Sequence, residues 1–198
     1  METISENWLY FNNKTNTHRY ILGEKGEKML ACIGVNPSTA KPDELDNTLK
    51  SVKRIAESNG YDGWIMYNLY PQRATNPIDL DNEIDYDENL TNMVSIQKSL
   101  ENFKIDDIWL AWGDLIDTRE YLKFCLYNLN WYLSNSKRDF NFKIVDIPTI
   151  AGNPKHPLYK NSNSELYDFD LQKYITQKVS KKIIEKYDGI TLNGRQFK

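Results

Sequence analysis

The chain has 198 residues, of which 40% are hydrophobic and 27% charged, with a formal net charge of −3. This suits one soluble domain, with an appendage, large enough for a real core. The longest apolar runs are far too short to span a membrane, two distant cysteines (Cys32 and Cys125) make neither a disulfide framework nor an iron–sulfur cluster, and His18 and His156 have no metal-ligand spacing.

Met1-Glu2-Thr3-Ile4-Ser5 has neither a basic start nor an apolar core, so no secretory signal is expected and the expected compartment is the cytoplasm. Trp8-Leu9-Tyr10-Phe11 and Arg19-Tyr20-Ile21-Leu22 read as scaffold. Gly23-Glu24-Lys25-Gly26 is a turn, expected to join two antiparallel strands, the second being Met29–Val35. That apolar run ends abruptly at Asn36-Pro37-Ser38-Thr39. Pro37 removes a backbone donor and stops the strand, and it pushes Asn36 towards an extended backbone. An amide is thereby held at the carboxyl end of a buried strand, although a plain strand stop explains the pattern too.

Asp46 is placed to cap a helix from Asn47 to Ser58, with Leu49, Val52, Ile55 and Ala56 on one face. Trp64-Ile65-Met66-Tyr67 repeats the first pattern, an apolar strand followed by Asn68 and a loop with Pro71 and Arg73. The acidic stretch Asp79 to Glu88 is not a calcium loop. Ile84 stands where the turn glycine belongs and Leu90 where the bidentate Glu belongs. It reads as a solvated loop leading into a helix over 89–103.

Ile108-Trp109-Leu110-Ala111 is the third strand, ending in Trp112-Gly113. Asp117 is expected to cap a helix to Leu133, and residues 143–147 form a fourth strand. Gly152-Asn153-Pro154-Lys155-His156-Pro157-Leu158-Tyr159 is a stiff loop presenting one histidine. Residues 161–169 are a polar linker, 170–187 a basic helix and 188–198 a tail. Residues 171–198 carry a net +5 and residues 79–107 a net −7, so the mean charge does not exclude a nucleic-acid partner.

Alternating strands and helices imply an α/β fold, three layers deep, around a mostly parallel sheet of four or five strands. Residues 1–160 form the expected domain, with 161–198 a basic helical extension packed on or following it. Asn36, Asn68, Trp112 and His156 then meet at one sheet edge, where such folds bind ligands. No phosphate-binding loop, dinucleotide fingerprint, nucleophile elbow or metal triad is present, so neither metal nor cofactor is expected.

These residues resemble a family. Asn36-Pro37-Ser38-Thr39-Ala40, Arg73-Ala74-Thr75, Ala111-Trp112-Gly113 and Gly152 to Tyr159 resemble a bacterial and mobile-element group catalogued as domain of unknown function 1643, over about residues 19–160. The order Gly34-Val35-Asn36-Pro37-Ser38, Asn68-Leu69-Tyr70, Leu110 to Gly113 and His156 to Tyr159 is similar to the uracil-DNA glycosylase superfamily.

The second resemblance implies a monofunctional DNA glycosylase of base-excision repair that flips its base and attacks with water. Asn36 would position that water and His156 would bond the pyrimidine O2. Asn68 would read the base edge, in a pocket built with Gly34, Val35, Pro37 and Ser38. Lys155, Pro157, Leu158, Tyr159 and Arg73 would contact DNA. Ser38 replaces the tyrosine that excludes thymine's methyl group in the most uracil-specific branch. The implied partner is uracil-containing DNA, single- or double-stranded, with a protein inhibitor or mobile-element proteins besides, and the implied state is a monomer. The alternative is a noncatalytic nucleobase-, nucleotide- or DNA-binding protein of the same fold.

Overall fold

The computed structural model describes residues 6–191. The pentapeptide read for a signal, and residues 192–198 of the tail, lie outside the described residues. Strands β1 (Trp8–Asn12), β2 (Arg19–Glu24), β3 (Met29–Gly34), β4 (Gly63–Asn68), β5 (Ile105–Leu110), β6 (Asn141–Val145) and β7 (Leu166–Asp168) alternate with helices α1 (Asn47–Ser58), α2 (Tyr86–Asn102), α3 (Glu120–Ser134), α4 (Leu171–Lys178) and α5 (Lys181–Thr191).

The strands form one sheet in the order β1-β2-β4-β3-β5-β6-β7. The pairs β4–β3, β3–β5 and β5–β6 are parallel, while β1–β2, β2–β4 and β6–β7 are antiparallel. The protein is therefore α/β with a seven-stranded mixed sheet, not the expected four- or five-stranded, mostly parallel one. The extra strands flank a parallel centre. β1 and β2 are the aromatic scaffold segments, and β7 is three residues inside the polar linker, too short to show a period.

The expected β2–β3 hairpin does not form either. After β2 the chain passes over the start of β4, so β4 lies between β2 and β3. Two facing glycines permit this crossing. A β-carbon on Gly26 would lie 2.4 Å from the Gly63 nitrogen, and one on Gly63 would lie 2.5 Å from the Gly26 nitrogen.

Both faces of the central strands are covered, which is why they read as continuous apolar runs. Leu30, Cys32, Trp64, Met66 and Trp109 pack with Leu49, Val52, Ile55 and Ala56 of α1. Their alternates Ala31, Ile33, Ile65, Tyr67 and Ile108 pack with residues of α2 to α5. Strand β3 lies between β4 on one side and β5 on the other, and the helices that follow β3 and β4 cover opposite faces. The carboxyl end of β3 is thus a switch point of the kind that leaves a crevice.

Helix α1 matches its expected span, with Asp46 accepting the Leu49 N–H at 2.9 Å. Helix α2 begins earlier than expected because Asp85 caps it, accepting from the N–H groups of Asp87 and Glu88. Asp117 does not cap α3. It ends a 3-10 turn, Gly113–Asp117, and its carboxylate holds Lys123 at 2.8 Å and Asn153 at 2.8 Å instead. The single helix expected over 170–187 is two, α4 and α5, divided at Val179-Ser180, where the Ser180 hydroxyl accepts the Ile183 N–H. Leu171, Tyr174, Ile175, Val179 and Ile183 join the core, so α4 and the start of α5 are integral to the fold. No helix among the described residues is long and apolar enough to cross a membrane.

Candidate functional site

Adjacent parallel strands β3 and β4 end together, with Gly34 opposite Asn68. The loops that follow are joined by hydrogen bonds. Leu69 N–H donates to the Gly34 carbonyl at 2.9 Å, Tyr70 N–H to that of Val35 at 2.9 Å, and Ala74 N–H to that of Pro37 at 2.9 Å. The Asn36 side chain continues the seam. Its Nδ2 donates to the carbonyls of Ala74 at 2.8 Å and Pro37 at 3.0 Å. Both donor hydrogens are spent, so the amide is fixed and its Oδ1 carries no hydrogen bond among the described residues.

Two arginines clamp the same loop. Arg73 donates to the carbonyls of Ser38 and Ala40 and to the Tyr10 hydroxyl, and Arg19 donates to the Ala40 carbonyl at 3.0 Å. Arg19 is 2% exposed. Burial, reinforced by the neighbouring charge of Arg73, lowers its pKa to about 10.

These loops border a cavity of about 450 Å³. Gly34, Val35, Asn36 and Ser38 line it from β3 and its loop, and Met66 and Asn68 from β4. Ala74 and Thr75 continue the wall, His156 and Leu158 face it from the loop after β6, Leu115 follows β5, and Arg19 comes from β2. The start of α1 closes the remaining side with Asp46, Asn47, Thr48 and Leu49.

Asn68 is 0% exposed, and among the described residues neither its Nδ2 nor its Oδ1 has a hydrogen-bond partner. A buried polar group without a partner costs about 1–3 kcal/mol, so an amide open at both ends is an unusual feature of a wall. Gly34 makes the room. A β-carbon there would lie 2.6 Å from the Met66 methyl and 3.1 Å from Asn68 Oδ1. The backbone behind Asn68 is anchored, because Asn92 of α2 donates to its carbonyl at 2.8 Å.

The Leu158 N–H donates to His156 Nδ1 at 3.2 Å. That bond makes Nδ1 an acceptor, which assigns the ring proton of the neutral imidazole to Nε2. Burial lowers the His156 pKa, with Asp46 opposing, so the neutral donor form is favoured. The loop is held from behind. Gly113 N–H donates to the Pro154 carbonyl at 2.8 Å, and buried Asn153 donates to Asp114 at 2.9 Å and Asp117 at 2.8 Å while accepting from Tyr174 at 2.7 Å.

The cavity thus gathers Gly34, Val35, Asn36, Ser38, Asn68, His156 and Leu158 of the residues singled out in the sequence. Others lie elsewhere. Pro37 and Pro157 are buried off the cavity, and Arg73 is turned to the loop carbonyls. Lys155 stands 3.8 Å from Asp146, which Lys160 holds at 2.8 Å. Tyr159 is 91% exposed with a φ of +64°, on a segment that also exposes Ile147 and Ile150. Trp112 is core, donating to the Tyr174 hydroxyl at 3.1 Å.

Arg19, Asp46, Asn47, Thr48 and Thr75 were not foreseen as cavity residues. For Asp46 a signal existed, since the cap of the helix after a central parallel strand sits at the strand's carboxyl edge. Arg19 gave none, being one charge at the start of an apolar strand. Among the described residues no group of three His, Cys, Asp or Glu side chains could hold a metal ion.

No curated protein matches the chain. The model of the family described as "Protein of unknown function (DUF1643)" matches residues 19–158. That span runs from buried Arg19 to Leu158 and takes in every residue lining the cavity, and the chain belongs to this family.

Proposed function

We propose that the protein is a DNA glycosylase that hydrolyses the N-glycosidic bond of uracil or a related modified base by base flipping and water attack. The observation that carries this reading is the fully buried Asn68 amide, open at both ends in the cavity that His156 also lines. A flipped uracil offers the complementary edge. Its O4 accepts from Nδ2 of Asn68, its N3–H donates to Oδ1, and its O2 accepts from His156.

Flipping costs about a few kcal/mol, and satisfying a waiting amide repays part of it. As the base departs it gains negative charge, and a preorganised donor such as His156 contributes roughly 3 kcal/mol there. The fixed Oδ1 of Asn36 orients the water, a contribution of placement and not of proton transfer. Exposed Tyr159, next to the half-buried cavity residue Leu158, suits insertion into a base stack, with Lys155 and Lys160 near the phosphates.

The parallel centre β4-β3-β5-β6, covered by helices on both faces, supports membership of the uracil-DNA glycosylase superfamily, acting as a monomer on cytoplasmic DNA in base-excision repair. Chromatography of free base released from a uracil-containing oligonucleotide tests the proposal. Binding of base or nucleotide without any release leaves the noncatalytic reading.

A further inference from the structure

Water attack on a sugar carbon yields a proton, and Asn36 cannot take it. Of the residues lining the cavity, one carries a carboxylate, Asp46. Its Oδ1 is spent on the Leu49 N–H at 2.9 Å. Its Oδ2 has neither a hydrogen bond nor an ion pair among the described residues, although buried Arg19 lines the same cavity. Asp46 lines the cavity together with Arg19 and His156, and its charge acts on both. A cap is also a stiff mounting. The helix fixes the carboxylate through the Leu49 N–H.

We infer that Asp46 is the catalytic carboxylate of the cavity, facing the sugar of the flipped nucleotide and accepting the proton of the attacking water. The inference rests on the glycosylase reading and supplies the acceptor that reading lacks. The negative carboxylate opposes the positive charge growing on the sugar while the bond from C1′ to the base nitrogen breaks, its electron pair leaving with the base. The water oxygen, held by Asn36, bonds to C1′. Its proton passes to Oδ2 of Asp46 and then to solvent. The base departs as an anion held by the His156 Nε2–H and is protonated by solvent.

Asp46→Asn tests this cleanly, because asparagine caps a helix as well as aspartate. Asp46→Ser is a second capping variant that removes the carboxylate. Single-turnover release of uracil should fall by about a hundredfold or more in both, the range of a lost acid–base group, with melting temperature unchanged. An oligonucleotide with a cationic pyrrolidine abasic analogue should bind wild type at least tenfold tighter than one with neutral tetrahydrofuran, and the variants should bind the two alike. Wild-type rates in both variants overturn the inference and leave the glycosylase reading standing. A wild type that releases no base removes the glycosylase reading itself. Equal affinity of wild type for the two analogues overturns the place of Asp46 at the sugar, whatever the turnover.

Discussion

Gly113 and His156 touch across two loops. A β-carbon on Gly113 would stand 3.3 Å from the His156 β-carbon, and Gly113 holds a φ of +60° that other residues adopt at a cost. The glycine after β5 therefore sets where the histidine after β6 can sit. Gly113→Ala should lose about 1–2 kcal/mol from the left-handed backbone and also push His156 out of line. A displacement approaching 1 Å costs about a hundredfold in rate. Turnover at the wild-type level, measured beside thermal melting, would show that His156 does not depend on this contact.

Asn153 is the rear support of the same loop. Its amide joins Asp114, Asp117 and Tyr174, and it is fully buried. Asn153→Ala leaves the Tyr174 hydroxyl and two carboxylates short of partners. The expected loss is about 2–3 kcal/mol, roughly 4–12 °C in melting temperature for a chain this size. A denaturant titration checks it, and a midpoint equal to wild type contradicts it.

Asn68 should behave in the opposite way. With neither end of its amide bonded, Asn68→Leu removes an unsatisfied polar group while keeping the same branching and number of heavy atoms, a change that is close to neutral or stabilising. The variant should melt at or above wild type and lose base recognition. Asn68→Asp should keep the fold and lose uracil. A Leu variant that is clearly less stable yet still releases uracil would remove Asn68 from the reading edge.

The lowered pKa of His156 fixes the sign of a pH effect. The unfolded chain takes up this proton at the ordinary histidine value and the folded protein only at lower pH. Stability is therefore present above about pH 6.5 and is lost as pH falls through the folded value. His156→Gln has no such step. The wild-type minus variant difference in unfolding free energy should decrease on acidification below about pH 6.5. A difference that is flat or rises on acidification contradicts the burial of a neutral ring.

Much of this was legible in the sequence, for physical reasons. Strands β3, β4 and β5 are buried on both faces, so their runs stand out, and Pro37 and Pro71 mark where the chain leaves the sheet. Asn36 lies just past β3, Asn68 ends β4 and His156 stands in the loop after β6, and the cavity unites them. The rest was hidden because it is set by tertiary packing. The passage over β4 depends on Gly26 meeting Gly63, residues 37 apart. β7 forms only because β6 offers an edge. Asp117 had the spacing of a cap and was claimed by Asn153 and Lys123. Asp46 showed its cap but not that it lines one cavity with His156, which only the tertiary fold brings about.

Alkaline strand scission tests the proposed glycosylase activity most directly. Wild-type protein should be incubated with single- and double-stranded oligonucleotides carrying one uracil, treated with alkali, and resolved by length. Strand scission is expected at the uracil alone, strongly reduced by Asn36→Ala and by His156→Ala at temperatures where both variants remain folded. Full-length strands from every uracil- and modified-base substrate, with protein that is folded and binds free base, would contradict it.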